Sequence, residues 1–310
     1  MNLRIVAMPP EVKPARRHSI RARQSRVAWM FMTPSIIVLL VFMVWPILRS
    51  VYLSFTKYNR FRPPAWIGLD NYTNLIHDPM FWNALKNTAV YGVVVAPVTV
   101  VLALALAILL NQRLVARGFI RTAVFLPFIV SMGIIAFAWK FLLDANIGLV
   151  PYWLSKFLGI TTSQSWLTSP KFAMPVVMAI GVWKSVGFYM VMFLAGLQSI
   201  PRELYEAARL EGAGPWKSFR NITWPLLSNQ TMLVSVMVTV SSIQVFDQIY
   251  IMTQGGPSFA TDSIVTLIYR VGFQNLNFGY AAAISWVLMI IVFALSMFQF
   301  AYFRRTAVTY

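Results

Sequence analysis

The residues with chemical potential in this 310-residue chain sit where charge and polarity are expensive. Lys184 lies inside a long apolar run, with Trp183, Phe188 and Tyr189 beside it. A second run carries Ser235, Thr239, Ser241, Ser242, Gln244 and Asp247, and a third carries Ser285 and Trp286. An unneutralised charge at a bilayer centre costs about 2.5–3.5 kcal/mol on insertion scales, so each such group needs a partner or water. Ring faces next to hydroxyls and amides suit a solute rich in hydroxyl groups, which makes Trp183, Lys184, Tyr189, Thr239, Ser242, Gln244, Asp247 and Trp286 candidates for a solute path. The same side chains can instead bond between helices and fix their packing. Lys184 and Asp247 can also neutralise one another or meet a second protein. The residues by themselves leave these readings open.

Catalysis is not expected. The chain has no cysteine, and His18 and His77 are too few and too scattered for a metal site. An ATPase would need a phosphate-cradling GxxxxGK[ST] loop after a strand. The nearest imitation, Gly212-Ala-Gly-Pro-Trp-Lys217-Ser218, places Trp216 where the glycine before the lysine must be. No cofactor is expected in this chain.

The elements that must position the polar residues are membrane spans. Hydrophobic residues make up 58% of the chain and charged ones 11%, with a mean hydropathy of +0.66. A soluble domain carries about a quarter charged residues, so the composition excludes an ordinary soluble domain, disorder, collagen and a disulfide scaffold. Six stretches approach or exceed the roughly 20 apolar residues that a helix needs to cross a bilayer. They lie at about 27–49, 87–110, 122–143, 172–198, 227–252 and 280–303. Proline at 34, 97, 127 and 175 is tolerated better in such helices than in soluble ones. The expected class is all-α and polytopic: a basic tail at 1–26, a six-helix domain at 27–303 and a short tail at 304–310.

The 26 basic against 9 acidic residues give a net charge of +17. Nucleic acid is not the expected partner, because the basic residues mostly lie between the spans. Sixteen fall in the two tails and the second and fourth loops: Arg4, Lys13, Arg16, Arg17, Arg21, Arg23, Arg26, Arg113, Arg117, Arg121, Arg202, Arg209, Lys217, Arg220, Arg304 and Arg305. The longer alternate loops with their flanks hold nine. Both termini are therefore expected on the cytoplasmic side. The basic tail is expected to anchor that topology, with contact to anionic membrane lipid a second use of the same charges.

The fourth loop, 200–227, reads as two short helices around a glycine turn. Pro201 suits a helix start, Glu203 and Glu206 favour its positive end, and Leu204, Ala207, Ala208 and Glu211 share a face. Gly212-Ala213-Gly214 breaks the helix and Pro215 begins the next, which carries Trp216, Phe219 and Ile222 as an apolar stripe. Such a knob could dock in a groove of another protein or lie on the membrane surface.

Glu206-Ala207-Ala208, Gly212, Ile222 and Pro225 at these spacings resemble the EAA loop of binding-protein-dependent ABC importer permeases. Two positions depart from the family pattern: Glu211 stands for the common Asp, and Trp224 for the common Leu before the proline. The resemblance covers almost the whole chain and is similar to the first permease of maltose-type carbohydrate importers. Ser54-Phe55, Leu69-Asp70-Asn71-Tyr72, Asn87-Thr88, Phe246-Asp247, Met252–Pro257 and Gly279–Ser285 carry it. It implies a type I importer fold in a bacterial or archaeal plasma membrane. It also implies a second related permease, two ATP-binding subunits that hold ATP and magnesium, and an extracytoplasmic solute-binding protein. Glu206 would contact the ATPase and Gly212 would make the turn. The solute site would lie near mid-membrane, for a sugar or sugar derivative. The competing reading is an ion-coupled secondary carrier. Such a carrier would be expected to place acids in its spans, and only Asp247 is available.

Overall fold

The computed structural model describes residues 17–112, 115–158 and 166–304; Arg4, Lys13, Arg16, Arg113 and Arg305 of the charge argument lie outside them. The chain forms two units, residues 1–52 and 53–310. The described part of the first is a long helix: α1 (Arg17–Leu39), a π-helical turn (Leu40–Val44) and the start of α2 (Trp45–Ser54). Pro34 lies inside α1 without ending it. The apolar stretch Val27–Ser54 has 28 residues, which at 1.5 Å per residue exceeds the thickness of the hydrocarbon core.

The second unit opens with an antiparallel hairpin, β1 (Thr56–Asn59) and β2 (Arg62–Trp66), followed by α3 (Asp70–His77). Asn71 Nδ2 donates to the carbonyls of Ser54 and Thr56 at 2.8 and 3.0 Å, and the Tyr72 hydroxyl donates to Ser54 Oγ at 2.8 Å. Phe55 stacks on Trp66 with ring centroids 5.6 Å apart. The Ser54-Phe55 and Asn71-Tyr72 pairs thus form one clasp.

α4 (Pro79–Asn111) starts where Asp78 accepts the Met80 N–H at 2.8 Å, with Pro79 at the first helical position. α5 (Arg117–Ile129) and α6 (Met132–Leu142) follow, then α7 (Leu149–Leu158) and α8 (Ala173–Ser199). The loop consists of α9 (Arg202–Leu210), α10 (Pro215–Ser218), a π-helical turn (Phe219–Thr223) and α11 (Trp224–Leu226). α12 (Ser228–Ile243) and α13 (Asp247–Met252) form the fifth span. α14 (Ile264–Tyr269), extended by a π-helical turn (Arg270–Gln274), precedes α15 (Phe278–Arg304).

Among the described residues, five stretches are long and apolar enough to cross a membrane, and six if the bent pair α5–α6 counts as one. The sequence predicts one uniform span over 122–143. The structure bends it by 96°, because Val130 and Ser131 are both extended, with ψ of 138° and 137°. The fifth span is likewise interrupted over residues 244–246.

The core lies between α4 and α8. Gly92, Ala96, Thr99, Ala103 and Ala107 are buried at spacings of three and four along α4, against Met190, Phe193, Leu194 and Leu197 of α8. Lipid supplies no hydrophobic drive between helices, so association rests on close van der Waals contact, which small side chains permit. α5 approaches α8 most closely at Gly187, where a Cβ would collide with the Val124 backbone carbonyl.

Gly187→Val should therefore destabilise the protein by about 1–3 kcal/mol through overpacking, seen as a lower thermal unfolding midpoint in detergent. Gly118→Ala, at a position with open space, should leave the midpoint unchanged.

Candidate functional site

The two interrupted spans open on one cavity. About 240 Å³ in volume, it is lined by Met132 just after the first break and by Gln244, Val245 and Phe246 of the second. Lys184, Ser185, Ser241, Ser242, Asp247 and Gln248 supply its polar wall, with Tyr91 and Gly181. Irregular backbone at membrane depth is tolerated only where protein buries it or a cavity hydrates it, and here side chains take up the freed groups. Lys184 Nζ donates to the Phe128 carbonyl at 3.3 Å, at the C-terminal and negative end of α5. Its ammonium also lies 5.2 Å from the Phe128 ring centroid, and that ring stacks on Phe188 at 4.4 Å. Beyond the second break, Ser263 Oγ donates to the Val245 carbonyl at 2.9 Å.

Lys184 and Asp247 line the same cavity but make no ion pair. Gln248 holds the floor: its amide donates to the Val177 carbonyl and accepts from the Tyr91 hydroxyl at 3.2 Å. The Tyr189 hydroxyl is 3.2 Å from Ser241 Oγ, in the layer behind the wall.

Of the residues singled out in the sequence, Lys184, Ser242, Gln244 and Asp247 converge on this cavity, and Trp183, Thr239 and Trp286 do not line it. Trp183 turns to Trp139, edge to face at 5.6 Å, and to a separate apolar cavity of about 400 Å³. Thr239 Oγ1 accepts from Gln299 Nε2 at 2.8 Å and pins α12 to α15. Ser285 meets Gln244 in a third, mostly apolar cavity of about 670 Å³, so Gln244 is shared by two cavities. Gln248, Tyr91 and Ser185 were not foreseen. Gln248 did carry a signal, an amide within an apolar stretch, whereas the two hydroxyls carried none.

The segment after α13 is neither a span nor a loose loop. Asp262 is fully buried and accepts from Thr266 Oγ1 at 2.7 Å and from Arg270 Nη2 at 2.5 Å. Arg270 also lies over the Phe259 ring. Asn87 Nδ2 donates to the carbonyls of Phe259 and Asp262 at 2.9 and 3.1 Å, and Thr88 Oγ1 accepts the Ile264 N–H at 2.9 Å. Asn87-Thr88 thus fastens this segment to α4.

In the loop, Pro201 is the residue before α9 rather than its first. Gly212 has φ of +75°. Its N–H reaches the Arg209 carbonyl at 3.0 Å, and the Ala213 N–H reaches that of Ala208 at 2.8 Å. This is a Schellman C-cap, in which glycine takes the left-handed position. No neighbouring atom crowds Gly212, so the backbone angle alone requires glycine there. The Tyr205 hydroxyl lies 2.9 Å from Thr223 Oγ1 and ties the two arms of the knob together. Glu206 and Ala207 are exposed on α9, Ala208 and Pro225 are half-buried, and Ile222 packs on the α4–α8 core.

Residues 99–308 match the model of the binding-protein-dependent transport system inner membrane component, and the chain belongs to this family. It is 36% identical over 281 residues to the probable ABC transporter permease protein YurN of Bacillus subtilis, covering 90% of this chain and 96% of the relative. To the lactose transport system permease protein LacF of Rhizobium radiobacter it is 34% identical over 288 residues, covering 92% and 96%. The fold matches a chain in the crystal structure of a bacterial ABC transporter involved in the import of the acidic polysaccharide alginate. The TM-score is 0.83 at 26% identity, covering 94% of this chain and 99% of that one. Its role is that of an ABC importer permease, not of a self-sufficient ion-coupled carrier.

Replacing Gln248 with leucine would leave the Tyr91 hydroxyl and the second lone pair of the Val177 carbonyl unpartnered. Gln248→Leu should cost about 1–3 kcal/mol, measured as a lower thermal midpoint of the purified transporter.

Proposed function

We propose that this chain is the membrane-spanning half of an ATP-driven importer for a sugar or sugar derivative. The observation that carries the reading is the convergence of Lys184, Ser242, Gln244, Asp247 and Gln248 on one cavity between two broken spans. A wall of hydroxyls, amides, one cation and one carboxylate offers donors and acceptors in several directions, as a ring bearing many hydroxyls requires. The relatives named for lactose and alginate transport support the same solute class.

In this mechanism an extracytoplasmic binding protein delivers the solute, and a second, related permease completes the path. Two ATP-binding subunits hold ATP and magnesium and supply the free energy. The 200–227 knob sits in a cleft of one of them, with Glu206 and Ala207 on its outer face. Closure of the ATP-binding pair moves the knob as one body, because the Gly212 cap and the Tyr205–Thr223 bond join its arms. The motion passes through Ile222 and Leu227 to the α4–α8 core, and the cavity changes the side to which it opens. In this reading both termini lie in the cytoplasm of a bacterium or archaeon.

Three measurements test this reading. Native mass spectrometry of the tagged chain should show one copy of it, one different permease and two ATP-binding subunits. A lone chain transporting on an ion gradient without ATP would overturn the proposal. Gly212→Pro locks φ near −65° and removes the N–H that caps α9, so binding-protein-stimulated ATP hydrolysis should no longer drive uptake. Unchanged uptake and hydrolysis would refute the coupling role. Lys184→Ala should weaken apparent solute affinity about ten- to a hundredfold if the ammonium bonds the solute, at about 1.5–3 kcal/mol for a charged hydrogen bond. A lowered thermal midpoint with unchanged affinity would instead assign Lys184 to capping α5 alone.

A further inference from the structure

On the membrane face where the 200–227 loop emerges, a second large cavity, of about 1010 Å³, lies among the ends of four helices. Arg117 at the start of α5 and Arg202 and Arg209 of α9 line it, together with the side-chain amides of Asn111, Gln112 and Gln198. Among the described residues no carboxylate lines it: Glu203, Glu206 and Glu211 of the same loop are exposed and outside its lining. Among the described residues none of the three arginines makes an ion pair. Arg121, one turn further along α5 and on the same helical face as Arg117, has Nε and Nη2 buried with no hydrogen-bond partner. Three arginines converging on one wall with no ion-pair partner among the described residues therefore mark a place suited to an anion.

The kind of anion follows from the guanidinium forks and from the depth. Forked N–H groups match the paired oxygens of a phosphate. α4 ends at Asn111, α8 ends at Ser199 and α5 begins at Arg117, so the cavity lies where the spans leave the hydrocarbon, at the level of the lipid phosphates. Ile108 and Leu197 line the adjoining cavity of about 460 Å³, and Leu197 is shared by both, which leaves apolar surface beside the cationic wall.

We propose that this arginine-lined cavity binds the phosphodiester headgroup of an anionic phospholipid from the adjacent leaflet. The bound phosphate bridges α5 to α9 and so fastens the third span to the loop. The solute cavity uses none of these arginines, and their share in setting the topology of the spans does not account for their convergence on one cavity.

The test uses the transporter purified through a tag on this chain and reconstituted in phosphatidylcholine, with or without phosphatidylglycerol. Native mass spectrometry after detergent exchange should show phosphatidylglycerol retained by the wild type. Arg117→Gln should retain about fivefold less, taking about 1 kcal/mol per basic side chain near an anionic lipid surface. Lys140→Gln, which removes a cation outside this cavity, should retain as much as the wild type. Equal retention by Arg117→Gln overturns the proposal. Binding of inorganic phosphate to the delipidated protein that Arg117→Gln abolishes, with no phosphatidylglycerol retained by the wild type, reassigns the cavity to a soluble anion and overturns the lipid. Retention by the free permease that is lost on assembly means that the ATP-binding subunit fills the cavity, which also overturns it.

Discussion

In hydrocarbon, a carbonyl or amide that leaves the helical ladder finds no water to bond, and the centre of this protein is arranged around that constraint. Two of the spans break, and each break is repaired by a side chain from another element. Lys184 of α8 takes the Phe128 carbonyl, and Ser263 takes that of Val245. These repairs hold the breaks open rather than closing them, and the resulting space is the polar cavity. Were α5–α6 and α12–α13 continuous helices, the same polar residues would face apolar neighbours with no hydrated volume between them. The α4–α8 contact supplies the rigid wall against which the broken spans are set, because small residues along α4 let the two helices meet closely.

The spans were legible in the sequence because apolar length is a strong signal. The breaks were not. Residues 122–143 read as uniformly apolar, Pro127 lies inside α5 without ending it, and Val130-Ser131 is an unremarkable dipeptide. What decides the bend is tertiary: Gly187 lets α5 come close to α8, and Lys184 stabilises the carbonyl that the bend exposes. Trp183 and Lys184 illustrate a second limit. Neighbours on a helix point about 100° apart, so two residues adjacent in sequence serve different cavities. Thr239 looked equivalent to Ser242, yet it faces Gln299. Only the rotation of α12 against its neighbours separates them.

The motif residues fared differently. Gly212 was legible as a turn from its setting alone, and its left-handed backbone gives the physical reason. Asn87-Thr88 and Asn71-Tyr72 stood out only through family resemblance, since nothing in their types or spacing states a task. The structure supplies one for each pair: Asn71-Tyr72 bonds the Ser54 and Thr56 carbonyls and the Ser54 hydroxyl, and Asn87-Thr88 bonds the Phe259 and Asp262 carbonyls and the Ile264 N–H. The loop segments outside the spans are thus fastened by side-chain amides and hydroxyls as well as by Leu75, Ile264 and Leu267, which join a buried apolar cluster with α4 and α15.

The tip of the 200–227 knob also bears on how the cell handles a surplus of this chain. Leu210 is 91% exposed and Trp216 72%, and both project from a segment that leaves the bilayer and meets water. Exposed apolar side chains of this size mark an interaction surface, and quality control acts on apolar surface that stays uncovered. A copy whose tip is seated in another protein hides them, and an unpaired copy displays them. Under the seating proposed above, the surface that carries the motion would therefore also distinguish a finished assembly from an unpaired copy.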